Sequence, residues 1–178
     1  MQKKILIVHG WGGSDYPHWQ SYLASEIAKD YGYVYFLKFS DVENPTFNEW
    51  SKELLDALDE FNPDIVVCHS LANTLWFQLA NQNKLKKVQS LFLIAPPSMH
   101  CPIEELSEFF PCETPTKLYA NNVLLVGSTN DPYMDESEFL RLQAELGVEM
   151  ELIKNAGHIN SDSGYGQWEW IVQEVKKI

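Results

Sequence analysis

The chain has 178 residues, a length at which one domain spanning 1–178 with a sizeable core is expected. Lys and Arg total 13 against 25 Asp and Glu, a formal net charge of −12, so phosphate backbones are repelled and nucleic acid is excluded as the main partner. With 45% hydrophobic and 21% charged residues the composition is that of a folded globule, and no apolar run approaches the ~18 residues of a membrane-spanning helix.

Residues 4–9 form the first apolar run, read as a strand. Lys3 and Lys4 precede a run shorter than the ~7–15 residues of a secretory signal core, so export is not expected. Trp19, Tyr22, Leu23 and Ile27 then recur at helical spacing, with Pro17 in or near the first turn. A second strand over 33–39 leads to Thr46-x-x-Glu49, a capping box ahead of Trp50, Leu54, Leu58 and Phe61 on one helix face. The third strand, 64–68, runs directly into a buried helix marked by Leu71, Leu75, Trp76 and Leu79, and a fourth strand occupies 90–95. Residues 96–121 are the longest irregular span, rich in proline, with a short helix expected near 103–110; this span is the candidate lid or substrate wall. A fifth strand over 123–127 precedes Asp135-x-x-Glu138, the cap of a helix carrying Phe139, Leu142 and Leu146 and ended by Gly147. A sixth strand, 149–153, and a terminal helix carrying Trp168, Ile171, Val172 and Val175 complete the pattern.

Several of these strands are apolar throughout instead of alternating. Burial on both faces follows, and with it a parallel sheet covered by helices on each side, a three-layer α/β fold. Cys68, Cys101 and Cys112 are an odd number at no zinc-like spacing, as befits a reducing cytoplasm, so neither disulfides nor a structural metal are expected.

Cys68-His69-Ser70-Leu71-Ala72 lies where the third strand turns into the buried helix, the context of a nucleophile elbow. Cys68 and Ala72 stand where that turn's G-x-S-x-G pattern has glycines, and both are small enough for close packing. Read alone, Ser70 fits a helix N-cap equally well. A serine hydroxyl needs an imidazole base and a carboxylate to orient it. Asp131 and His158 supply them, each beyond the C-terminal end of a strand, where residues remote in sequence converge on the ligand face of a parallel sheet. The chain order Ser, Asp, His is that of an α/β-hydrolase. Asp135 is the rival acid, although capping gives it a structural task, and His9 is expected to brace the adjoining loop by bonding its backbone. The backbone N–H groups of Trp11, in the Gly-rich loop after the first strand, and of Leu71 are candidate oxyanion donors. Trp11, Phe109 and Phe110 are candidate pocket-lining residues.

Taken together, His9-Gly10 with Gly12-Gly13 and Trp19, the His69-Ser70-Leu71 elbow, Asp131-Pro132-Tyr133, and Gly157-His158-Ile159 followed by Gly164-Tyr165-Gly166 resemble the small, nearly lidless α/β-hydrolases that include retinoblastoma-binding protein 9 and the YdeN-like bacterial proteins. The resemblance spans almost the whole chain. It implies a serine hydrolase with the triad Ser70, Asp131 and His158, a minimal lid, and a sheet lacking the first two strands of larger α/β-hydrolases. The expected architecture is a mostly parallel six-stranded sheet in the order 2-1-3-4-5-6, acting without a cofactor on small acyl esters, thioesters or amides. A catalytically weak hydrolase-fold protein that binds another protein is the alternative. A dinucleotide site after the first strand is excluded, because Asp15 stands where the fingerprint requires glycine.

Overall fold

In the first strand, β1 (Lys3–Val8), Leu6 and Val8 point to one face of the sheet and Ile5 and Ile7 to the other, and all four are fully buried. The strand β3 (Ile65–His69) repeats the division, with Val66 and Cys68 on the first face and Ile65 and Val67 on the second. This two-sided burial is why both strands read as unbroken apolar runs. Each such side chain contributes roughly 1.5–3 kcal/mol relative to exposure.

The computed structural model describes residues 2–178. Its sheet has the order β2-β1-β3-β4-β5-β6, completed by β2 (Gly32–Leu37), β4 (Val88–Ile94), β5 (Ala120–Ser128) and β6 (Glu149–Ile153), and every pairing is parallel. On one face lie α2 (Phe47–Phe61), α3 (Leu71–Asn81) and α4 (Glu136–Leu146), which bury Trp50 and Leu54, Leu75 and Trp76, and Phe139 and Leu142 respectively. On the other lie α1 (Trp19–Asp30), through Trp19, Leu23 and Ile27, and α5 (Glu169–Lys176), through Ile171, Val172 and Val175. No helix among the described residues is long and apolar enough to cross a membrane.

The caps follow the sequence pattern. Thr46 Oγ1 accepts the Glu49 amide at 3.3 Å as the N-cap and donates to the Glu49 carboxylate at 2.9 Å, so the two residues of the Thr-x-x-Glu pattern bond to each other. Asp135 accepts the Glu138 amide at 2.9 Å, and Gly147 ends α4 at φ 62°. Helix α1 is capped by His18, with Pro17 just before the cap and so near the first turn, as expected. Several strand boundaries differ from expectation, among them the end of β2 at Leu37 and the start of β4 at Val88. Strand β5 begins at Ala120, three residues early, because Ala120 and Asn122 pair with Val88 and Ser90 through main-chain bonds that need no apolar side chain.

The order places β2 and β3 on opposite sides of β1, so the loops that follow β1 and β3 diverge above a switch point. The span after β4 packs across this end as irregular chain with a short 3-10 helix, Glu104–Phe109. Leu106 and Phe109 are buried, and the Phe109 carbonyl accepts from Gln78 of α3 at 3.1 Å, so the span is a fixed wall.

Candidate active site

Ser70 joins β3 to α3 with φ 54° and ψ −125°, a conformation that non-glycine residues adopt only when surroundings enforce it. The enforcement is visible. The Ser70 amide donates to the Ile94 carbonyl at 3.0 Å, and Asn73 Nδ2 donates to the carbonyls of Ser70 at 2.9 Å and Ile94 at 2.8 Å. Ser70 makes no side-chain cap to α3, so its hydroxyl is not spent on the helix. Small residues on either side permit the turn: Cys68 and Ala72 are fully buried, and burial pushes the Cys68 thiol pKa far up, leaving it an inert small hydrophobe.

The acid and imidazole loops are tied to each other before they meet the serine. After β5, Ser128 Oγ accepts the Ala156 amide at 2.9 Å, Thr129 Oγ1 the Asn155 amide at 3.0 Å, and Asn130 Oδ1 the Gly157 amide at 2.8 Å. These bonds fix the loop after β6 against the loop after β5. Asp131 then meets His158: Oδ2 lies 2.8 Å and Oδ1 3.0 Å from Nδ1, and Oδ1 also accepts the Tyr133 amide at 2.9 Å. The Asp131 carboxylate assigns the proton to Nδ1, leaving Nε2 free to accept, and Nε2 lies 2.8 Å from Ser70 Oγ. Asp135 sits on the surface at the start of α4, away from this chain of bonds, where Ser137 and Glu138 lower its pKa by hydrogen bonding.

Other histidines support the frame. His9 Nε2 accepts the Phe39 amide at 3.1 Å, so Nδ1 carries the proton and donates to the Gly10 carbonyl at 2.7 Å. The expected brace of the loop is therefore a clamp between Gly10 and the end of β2, which also turns Phe39 inward to stack on Trp50 at 4.3 Å. His69 Nε2 donates to the His158 carbonyl at 3.1 Å, and burial, with His158 and His18 nearby, holds its pKa well below the ordinary value.

A cavity of about 240 Å³ opens over Ser70 and His158. Trp11 and Leu71 border it, and their amides have no acceptor among the described residues. Phe109 and Phe110 do not. Phe109 is fully buried against Trp50 and Phe47, at ring separations of 5.8 and 5.7 Å, because its 3-10 helix lies flat on α3 and directs it into the core. Phe110 lines a separate surface groove with His100 and Pro111. The apolar wall consists of Ile103, Leu106 and Pro97, with Tyr133 standing edge-on to His158 at 4.5 Å. His18, expected at the surface or in the wall, stands in the wall, and Asn160 and Asp162 supply polar lining that the sequence pattern did not single out. Asn160 and Asp162 follow His158 closely in sequence, the one signal that pointed to them. Among the described residues no group of three or more His, Cys, Asp or Glu side chains is placed to hold a metal ion.

The architecture is shared with solved structures. The ydeN gene product of Bacillus subtilis superposes with a TM-score of 0.87 at 18% identity, covering 99% of this chain and 98% of that one. A YdeN-like protein from Pectobacterium atrosepticum gives 0.79 at 20% identity, with 99% and 90% covered. The esterase domain of a Rhodothermus marinus protein gives 0.68 at 13% identity, with 98% and 85% covered. At such identities the likeness is one of fold. No curated protein sequence matches the chain. The family model described as serine hydrolase, in contrast, matches residues 5–177, nearly the full length, and the protein belongs to the serine hydrolase family.

Proposed function

We propose that the protein hydrolyses small acyl esters, thioesters or amides through an acyl-enzyme, with Ser70 as nucleophile, His158 as base and Asp131 as its orienting acid. The observation that carries this reading is the chain of contacts from Asp131 through His158 to Ser70 Oγ, 2.8 Å at each step, beside a cavity. Ser70 Oγ attacks the carbonyl carbon as its proton passes to His158 Nε2, and the oxyanion is met by the amides of Trp11 and Leu71. His158 returns the proton to the leaving group as the scissile bond breaks. Water, deprotonated by His158, then cleaves the acyl-serine and restores the hydroxyl. Asp131 fixes the ring and stabilises the imidazolium.

The cavity volume, below the usual ~300–1,000 Å³ of drug-sized sites, suits short acyl groups. The surplus of carboxylates disfavours polyanionic substrates. An esterase domain among proteins of the same fold supports an ester-cleaving role.

A fluorophosphonate tests the reading, because phosphonylation needs the same activated oxygen and oxyanion donors as acyl transfer. One adduct on Ser70 is expected by peptide mapping, absent in Ser70→Ala and sharply reduced in His158→Ala. A folded wild-type protein left unmodified under conditions that saturate a known serine hydrolase would overturn the reading in favour of partner binding.

A further inference from the structure

His18 takes no part in the proton path, yet it is oriented as firmly as the residues that do. Its Nδ1 accepts the Gln20 amide at 3.2 Å as the N-cap of α1. An accepting ring nitrogen carries no proton, so the neutral imidazole keeps its hydrogen on Nε2. The residue is only 5% exposed, and the surface it retains belongs to the wall of the cavity over Ser70. Nε2 has no partner among the described residues and is not among the polar atoms sealed in the core without one, so it faces the cavity space. Burial lowers the pKa of this ring to about 4, with His158 and His9 acting in the same direction. The cavity is thus provided with a fixed, uncharged N–H donor. Its ring stands 4.9 Å from that of His69, which in turn stands 5.2 Å from that of His158, so His18 borders the cavity without touching the Ser70–His158 pair through its own ring contacts.

We infer that His18 is a specificity-determining residue whose Nε2–H donates to a second, uncharged oxygen of the substrate, an ether, hydroxyl or carbonyl oxygen remote from the scissile carbonyl. The inference rests on the hydrolase reading of the same site and adds the substrate class. A donor is offered and not an acceptor, because Nδ1 is occupied by the helix. An anionic group is disfavoured, because the ring is neutral and the Asp162 carboxylate borders the same cavity.

Two isosteric ester pairs test it: p-nitrophenyl methoxyacetate against p-nitrophenyl butyrate for an oxygen on the acyl side, and 2-methoxyethyl against butyl acetate for one on the leaving-group side. The variants are His18→Asn and His18→Ser, which keep a good N-cap and remove the reach into the cavity. The ratio of kcat/KM within a pair, wild type over variant, cancels intrinsic reactivity. That quotient, taken for the oxygenated ester over its all-carbon partner, is expected to be about ten in one pair, the factor of roughly one neutral hydrogen bond, and the pair affected assigns the side. Ratios within twofold of wild type in both pairs, or an equal loss on all four esters, would overturn the role of His18 while leaving the hydrolase reading intact. A wild-type protein that cleaves none of the four and resists phosphonylation at Ser70 would overturn both.

Discussion

Gly10 and Ser70 touch across the switch point: a Cβ placed on Gly10 would stand 2.7 Å from Ser70 Cβ and 3.1 Å from the Leu71 amide nitrogen. The backbone of Gly10 occupies the space beside the elbow, and this brings the amides of Trp11 and Leu71 to one cavity. Gly10→Ala is therefore expected to push the two loops apart. Loss of an oxyanion donor typically costs ~100–1,000-fold in turnover. Ester hydrolysis by the folded variant should fall by at least that order, and near-wild-type kcat would show that the close approach has no catalytic consequence.

Asp131→Asn and Asp135→Ala separate orientation from capping. The first leaves His158 Nδ1 beside an amide that no longer stabilises the imidazolium, a change that cost ~10,000-fold in a well-studied triad. The second removes the acceptor of the Glu138 amide on an exposed helix end, so a drop of a few degrees in Tm with kcat retained is expected. Steady-state kinetics and thermal melts of both variants check the ranking.

Phe109→Ala should act on stability. Its ring is fully buried between Trp50 and Phe47, and truncating a core Phe costs ~3–5 kcal/mol. A urea titration should report that loss, while KM for a short ester, measured well below the new Tm, stays within a few-fold of wild type. A large rise in KM at unchanged stability would return Phe109 to the substrate wall.

Asn73→Leu tests the clamp on Ser70. The substitution leaves the carbonyls of Ser70 and Ile94 without the Nδ2 donor that binds both, so the strained turn at Ser70 loses a restraint. The second-order rate of Ser70 phosphonylation is expected to fall about tenfold or more in protein that remains folded. An unchanged rate would mean that the Ser70 N–H bond to Ile94 suffices to hold the turn.

Acid sensitivity should follow the buried histidines. His18 has its pKa lowered from 6.5 to about 4, chiefly by burial with His158 and His9 contributing, and His9 and His69 are lowered as well. A depressed folded-state pKa means that the unfolded chain binds the proton first. The stability these groups contribute is thus complete above pH ~6.5 and is lost as pH falls from there through the folded-state values. For His18 alone the loss is about 3 kcal/mol. Urea midpoints between pH 7.5 and 4.5 should fall less steeply in His18→Asn than in wild type. An NMR titration midpoint for His18 near 6.5 would contradict this account.

Local sequence determined much of the outcome. The unbroken apolar runs of β1 and β3 declared a parallel sheet covered on both faces, since only two-sided burial explains them. Thr46, Asp135 and Gly147 announced helix ends because capping is a contact within one turn. Ser70 at a strand-to-helix turn, followed by Asp131 and His158 beyond later strands, could be read as a set because parallel strands deliver their C-terminal ends to one side.

Tertiary structure decided the rest. Whether Asp131 or Asp135 faces His158 depends on bonds from Ser128, Thr129 and Asn130 to a loop more than twenty residues away, which no periodicity records. Phe109 enters the core while Ile103 and Leu106 line the cavity, because an irregular segment has no fixed repeat of side-chain direction and packing on α3 alone sets it. The donor edge of His18 faces the cavity because α1 occupies its other nitrogen. Order along the chain brought out Ser70, Asp131 and His158 as candidates, and contacts between loops remote in sequence gave their side chains their orientation.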